Sequence, residues 1–181
     1  NVENRGMVFS CQPDTARAAI ENVRRNVGGD LPIIAKLSPD VTDIAMIARE
    51  VVDAGADGLA LINTVLGMVI DVNTMRPKLA QKTGGLSGPA IRPIAVRAIY
   101  QVHAALPKVP IVGMGGVASG KDALELVLAG ASAISIGTAT FGNPTAVIKV
   151  KEELQSLLEE RGFENFRDAI GFAHRPESHE G

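Results

Sequence analysis

Strict alternation of short apolar runs with helix-forming segments predicts an α/β fold with a parallel sheet, specifically the C-terminal half of a (β/α)8 TIM barrel, strands five to eight. Three observations carry this reading. Four strand–helix units follow one another, preceded by a helix. The last two short runs, 109–113 and 133–137, each lead into a helix-like segment, with Gly115-Gly116 just past the first and Gly137-Thr138 at the end of the second. Backbone N–H groups left free where a strand turns into a helix can hold a phosphate, and glycine lets it come close; two such turns in adjacent units form the usual phosphate cradle of a barrel. Finally, 181 residues support one domain with a real core, whereas a complete barrel takes about 250. An open doubly wound sheet is the rival, and it lacks a Gly-x-Gly-x-x-Gly after the first strand.

Each element has a local reason. Residues 13–27 read as a helix, with Asp14 placed to cap it and Ala16, Ile20, Val23 and Val27 at helical spacing. Residues 31–37 form a buried strand. Thr42 or Asp43 caps the next helix, which runs to Ala54 and ends at Gly55. A second strand covers 58–62. Residues 63–88, rich in Gly, Thr and Asn, read as a long loop of the kind that is usually functional. A helix over 91–106 leads to the strand at 109–113, a helix over 120–129 to the strand at 133–137, and a helix over 144–161 with a charged, solvated face closes the pattern. The polar residues 174–181 are expected to fray. Residues 1–181 are thus one domain, a partial barrel.

Composition narrows the function classes. A net charge of −2, no Trp and one Tyr give neither the electrostatic footprint nor the stacking platforms of a nucleic-acid binder. No apolar run reaches the length of a membrane span. A single cysteine, Cys11, excludes an internal disulfide, which fits the cytoplasm, and is read as a half-buried thiol. Residue 1 is Asn rather than Met, so residues upstream are expected.

In a barrel, chemistry sits at the C-terminal ends of the strands. Lys36 lies at such an end; burying it alone is costly, so it should face a negative partner, unless it emerges into solvent at the strand tip. Asn63-Thr64 ends the next strand: the pair suits a planar polar ligand, or else the asparagine is tied to its own turn. Ser87-Gly88-Pro89, taken alone, is helix-start punctuation. Asp71 and Arg76 read as a structural pair or as solvated. His103, His174 and His179 have no metal-ligand spacing, and no general base has a partner at a useful spacing.

Taken in order, residues 35–39 (Ala-Lys-Leu-Ser-Pro), Ile62-Asn63-Thr64 with Gly67-Met68, Arg76-Pro77, residues 84–90 (Gly-Gly-Leu-Ser-Gly-Pro-Ala), residues 113–116 (Gly-Met-Gly-Gly) and Ile136-Gly137-Thr138 resemble the dihydroorotate dehydrogenase family. The segment 84–96 most resembles its class 1B, NAD-linked catalytic subunits. The resemblance runs in order to about residue 172. It implies an FMN barrel that oxidises dihydroorotate to orotate in pyrimidine synthesis. Lys36 is then expected against the flavin ring, where a cation stabilises the charge of the reduced flavin, and Ile62 near the flavin. Gly88, Gly115, Gly116, Gly137 and Thr138 are expected to hold the phosphate of FMN, and Asn63 and Thr64 to hydrogen-bond the pyrimidine. Asn1 matches the final Asn of the family's Asn-x-Ser-Cys-Pro-Asn motif, whose amide contacts substrate. The catalytic cysteine of that motif would lie two residues before Asn1, so no catalytic base is assigned in this chain, no metal ligand is assigned either, and the chain resembles a truncated product that would not turn over alone. The resemblance also implies a cytoplasmic homodimer of catalytic subunits, an iron–sulfur flavoprotein electron-transfer subunit and an N-terminal half-barrel as partners. The rival readings are another pyrimidine-acting flavin barrel, such as a dihydropyrimidine dehydrogenase-like or dihydrouridine synthase-like protein, and a non-catalytic half-barrel that binds a phosphorylated ligand.

Overall fold

The structure, a computed structural model, describes residues 11–27 and 29–176. In chain order its elements are α1 (Pro13–Val27), β1 (Ile34–Leu37), α2 (Ile44–Asp53), β2 (Gly58–Leu61), β3 (Val65–Met68), β4 (Ile70–Asp71), β5 (Arg76–Pro77), β6 (Thr83–Leu86), α3 (Arg92–Ala105), β7 (Ile111–Met114), α4 (Gly120–Ala129), β8 (Ala133–Ser135), α5 (Ala139–Gly142), α6 (Ala146–Glu160) and α7 (Phe166–Ala169). Single 3-10 turns precede α3 at Pro89–Ile91 and follow α7 at Phe172–His174.

Strands β1, β2, β7 and β8 form one parallel sheet in the order β1-β2-β7-β8. The register is unbroken: Lys36 lies beside Ala60, Ala60 beside Val112, and Val112 beside Ala133. The next row, Leu37, Leu61, Gly113 and Ile134, faces the other way. That second face meets the helices. Leu37, Leu59, Leu61 and Ile111 are all but inaccessible there, packed with Ile47 and Val51 of α2 and Ile99 and Val102 of α3.

The helices are fixed at their ends. Asp43 caps α2, its side chain accepting the Met46 N–H at 3.0 Å, and Gly55, at φ +106°, turns the chain out. Ser119 caps α4 in the same way through the Asp122 N–H at 3.3 Å. Arg24, in the last turn of α1, donates to the Gly55 carbonyl and pairs with Asp57, which also accepts the Ile33 N–H at 2.7 Å. That N–H bond, then the guanidinium, holds the Asp57 carboxyl below the usual carboxylate range.

The structure departs from the sequence reading at residues 63–88, which are not a loop but an arm of two antiparallel ladders, β3 with β6 and β4 with β5. The reason is backbone: Gly84 and Gly85 stand opposite Gly67 and Leu66, and a Cβ on Gly85 would overlap Thr64. At the tip, Asp71 accepts the N–H groups of Asn73 (2.9 Å) and Thr74 (3.3 Å) rather than pairing with Arg76, its ladder partner. The strands of the main sheet also differ from the apolar runs: β1 and β8 cover only parts of 31–37 and 133–137, β2 stops at Leu61, and β7 runs Ile111–Met114, one residue past the run at 109–113.

Cys11 is half-buried. His174 is docked: its ring stacks on Tyr100 with centroids 3.8 Å apart, and its Nε2 lies 3.0 Å from the Ala129 carbonyl oxygen. Residues 177–181, the rest of the expected frayed tail and including His179, lie outside the described residues. The His103 ring sits 5.0 Å from that of His174, enclosed by the backbone of Gly130 and Gly171, both at positive φ. The buried His103 Nδ1 has no hydrogen-bond partner among the described residues. A proton there would be an unsatisfied donor. Burial first, and the neighbouring His174 second, hold the His103 pKa below the ordinary imidazole value of 6.5.

Below pH 6.5 the unfolded chain takes up a proton that folded His103 refuses, so stability is full above that pH and falls as pH drops toward the lower folded pKa. The thermal midpoint, followed by circular dichroism, is expected to fall between about pH 7 and about pH 5. His103→Gln should make that dependence shallower; equal slopes in the two proteins would refute the assignment.

Candidate functional site

Because the four strands are parallel, their C-terminal ends share one edge, and the sequence-predicted residues gather there. Strand β1 ends at Leu37, one residue past Lys36. Lys36 is on the face opposite the helices, exposed, and paired with no carboxylate among the described residues. Of the two readings open for Lys36, a buried lysine facing a negative partner or one that emerges into solvent, the side chain takes the second: the strand is buried on one side only, Ala35 and Leu37 facing the core while Ile34 and Lys36 face out. An exposed ammonium needs no countercharge.

At the end of β2, Ile62 N–H donates to the Met114 carbonyl and Asn63 N–H to the Leu37 carbonyl, each at 2.9 Å. The Leu61–Ile62 peptide bond is cis. Ile62 itself is 2% exposed and belongs to the core, supporting the Gly115 turn from the inside. Asn63 and Thr64 follow it, half-buried, at the base of the arm. Asp40 braces that base. Its carboxylate accepts the Leu66 N–H at 3.1 and 3.3 Å, and the preceding loop is tightened by the Asp40 N–H donating to buried Ser38 Oγ. Asp40 was not singled out in the sequence. Its signal was weak, an acidic residue after Ser-Pro at a strand end.

Three turns then converge. Gly88, at φ +86°, starts the turn into α3, its carbonyl accepting the Ile91 N–H at 3.1 Å. Gly115 and Gly116, at φ +123° and +76°, follow β7. A Cβ on Gly116 would lie 2.9 Å from the Gly88 carbonyl oxygen and 2.9 Å from the Arg92 nitrogen, and one on Gly115 would lie 3.0 Å from Ala95 Cβ. These approaches admit only glycine. Arg92 pairs with Asp122 at 2.6 Å and Glu125 at 3.1 Å, so the starts of α3 and α4 are locked side by side. The third turn, Gly137-Thr138, follows β8 and is exposed; Thr138 Oγ1–H donates to Ser87 Oγ at 2.9 Å. Gly137 has no positive φ and nothing near its Cβ position.

The structure thus brings Gly88, Gly116 and Thr138 together and places Lys36 and Asn63-Thr64 along the same edge. Backbone N–H groups at strand-to-helix turns lack intrahelical partners and suit an anion. No group of three His, Cys, Asp or Glu able to hold a metal ion occurs among the described residues, and no helix there is long and apolar enough to cross a membrane. Asn1 lies outside the described residues.

The family model for dihydroorotate dehydrogenase matches residues 2–158. The chain belongs to the dihydroorotate dehydrogenase family. It is 49% identical over 175 residues to the dihydroorotate dehydrogenase B (NAD(+)) catalytic subunit of Desulforudis audaxviator, a match covering 97% of this chain and 56% of that protein. The protein of the same name from Brachyspira hyodysenteriae is 50% identical over 174 residues, covering 96% and 57%. Among solved structures, the ligand-free DHODH of Eimeria tenella superposes with a TM-score of 0.75 at 28% identity, over 91% of this chain and 51% of that one. The chain therefore spans about half the length of the curated dihydroorotate dehydrogenases it matches.

Two cradle glycines should behave differently. Gly116→Ala forces a side chain into positive φ against a carbonyl and is expected to cost at least about 1 kcal/mol. Gly137→Ala should stay within about 0.5 kcal/mol of the parent. Urea unfolding midpoints check this, and equal losses at the two sites would contradict the geometry.

Proposed function

We propose that this chain is the C-terminal half of an FMN-dependent (β/α)8 barrel that oxidises dihydroorotate to orotate in pyrimidine biosynthesis. The observation that carries the reading is the convergence of the Gly88, Gly115-Gly116 and Gly137-Thr138 turns on the sheet edge that also presents Lys36 and Asn63-Thr64. The cradle suits a phosphate group, because Gly88, Gly115 and Gly116 turn at positive φ where strand-to-helix connections leave backbone N–H groups without intrahelical partners. The open sheet face supports the half-barrel: parallel sheets are normally covered on both sides, yet Ile34 is 55% exposed and Lys36 points out beside it. An N-terminal half-barrel would complete it.

When bound, FMN supplies the hydride acceptor for the reaction. The residues of this chain bind and orient. Gly88, Gly115, Gly116, Gly137 and Thr138 hold the phosphate through backbone N–H groups. Lys36, on the open face, places a positive charge beside the ring system, and Ile62 stiffens the floor of the site from the core. Asn63 and Thr64 present an amide and a hydroxyl to the pyrimidine, and Asn1, outside the described residues, is assigned to the same substrate on the resemblance alone. Proton removal falls to the cysteine expected two residues before Asn1. In the intact enzyme we place two catalytic subunits together in the cytoplasm, with an iron–sulfur flavoprotein subunit passing electrons onward to NAD.

The test is anaerobic mixing of full-length, FMN-loaded protein with dihydroorotate. The flavin absorbance is expected to bleach as orotate forms. Lys36→Met should retain FMN yet bleach about 100-fold more slowly. Residues 1–181 alone, supplied with FMN, should not bleach at all. Full-length protein that binds FMN and ignores dihydroorotate while reducing another pyrimidine would favour a different flavin barrel.

A further inference from the structure

The three turns of the cradle are not equally supported. Gly88 and Gly116 are packed so closely that a Cβ on Gly116 would lie 2.9 Å from the Gly88 carbonyl oxygen, and Arg92 with its two carboxylates pins the helix starts behind them. The Gly137-Thr138 turn has no such backing. Gly137 has nothing within 4 Å of its Cβ position, Thr138 is exposed, and Phe141 one turn later is 90% exposed. Sheet pairing does not fix the distance either, since β6 pairs with β3 and β8 with β7, so the segments carrying Ser87 and Thr138 never share a ladder. Among the described residues, the hydrogen bond that joins the two outer turns is Thr138 Oγ1–H to Ser87 Oγ, at 2.9 Å across 51 positions of sequence.

We infer that Ser87 is a positioning residue for phosphate recognition: by accepting the Thr138 hydroxyl it sets the gap between the Gly88 and Gly137-Thr138 turns before the ligand arrives. The inference rests on the FMN reading above. Taken alone, Ser87-Gly88-Pro89 reads as helix-start punctuation, and the Ser87 side chain belongs to neither the core nor a helix cap. With this bond made, the Thr138 N–H is presented at a fixed separation from the Gly88 and Gly116 backbone. Without it the exposed turn drifts and the phosphate must order it on binding, at a cost in affinity.

A merely structural serine would affect every ligand alike. The discriminating measurement is the affinity of the full-length apoprotein for FMN and for riboflavin, which lacks the phosphate. Ser87→Ala is expected to weaken FMN roughly fivefold, the worth of one ordinary hydrogen bond, and to leave riboflavin within about twofold. Ser87→Thr, which keeps the hydroxyl, should restore FMN binding. Adding Ser87→Ala to Thr138→Val should cost nothing further, because the two substitutions remove one bond; should Ser87→Ala fail to fold, Thr138→Val alone must show the same FMN-selective loss. Equal losses for both flavins, no loss, or full additivity in the double variant would overturn the positioning role. A parent protein that binds FMN no more tightly than riboflavin would instead sink the phosphate cradle itself, and this inference with it.

Discussion

The end of β2 is the point from which the site hangs. There the chain leaves the sheet while still bonded on each side, Ile62 N–H to Met114 and Asn63 N–H to Leu37. Those two bonds fix the levels of three strand ends relative to one another. They are protected because β2 is buried along its whole length and Ile62 is sealed in the core. A backbone N–H in such surroundings has no water to exchange with, so losing its acceptor costs its full desolvation penalty, about 1–3 kcal/mol. Everything that follows, the half-buried Asn63-Thr64 and the arm they anchor, inherits that fixed level.

Close approach of backbone does the rest. Gly113 lets β7 sit against Ala131, whose Cβ would be 2.7 Å from any Cβ there, and Gly116 lets the β7 turn slide beneath Gly88. The same device wraps Gly130 and Gly171 around His103, far from the cradle. Glycine is costly to order on folding, because it has the most freedom to lose. At Gly116 this close approach of backbone sets how near the start of α3 comes to the end of β7.

What could be read in the sequence was what depends on period and punctuation. The helix α2 was legible because Asp43 precedes an apolar repeat that Gly55 closes. The cradle glycines were legible because Gly115-Gly116 and Gly137-Thr138 follow apolar runs. The arm at 63–88 was not, since its ladder depends on Gly84 and Gly85 meeting Gly67 and Leu66 across a turn, and neither strand alternates cleanly. Long-range pairs were invisible as well. Nothing local ties His103 to His174, Asp40 to Leu66, or Ser87 to Thr138; each pair exists only once the strands are in register.

On the FMN reading, the register sets where a flat ligand would lie. Along the row that holds Lys36, the neighbours are Ala60, Val112 and Ala133. Short side chains make a shallow floor, and the one long side chain in the row carries the charge. On the opposite face the same strands present Leu37, Leu61 and Ile134, which interlock with helices. Charge and floor therefore lie on the open face, while the glycine turns lie at its edge. A ligand with a planar body and an anionic tail can meet these two parts at once, and an anion without the body, or a ring without the tail, can meet only one.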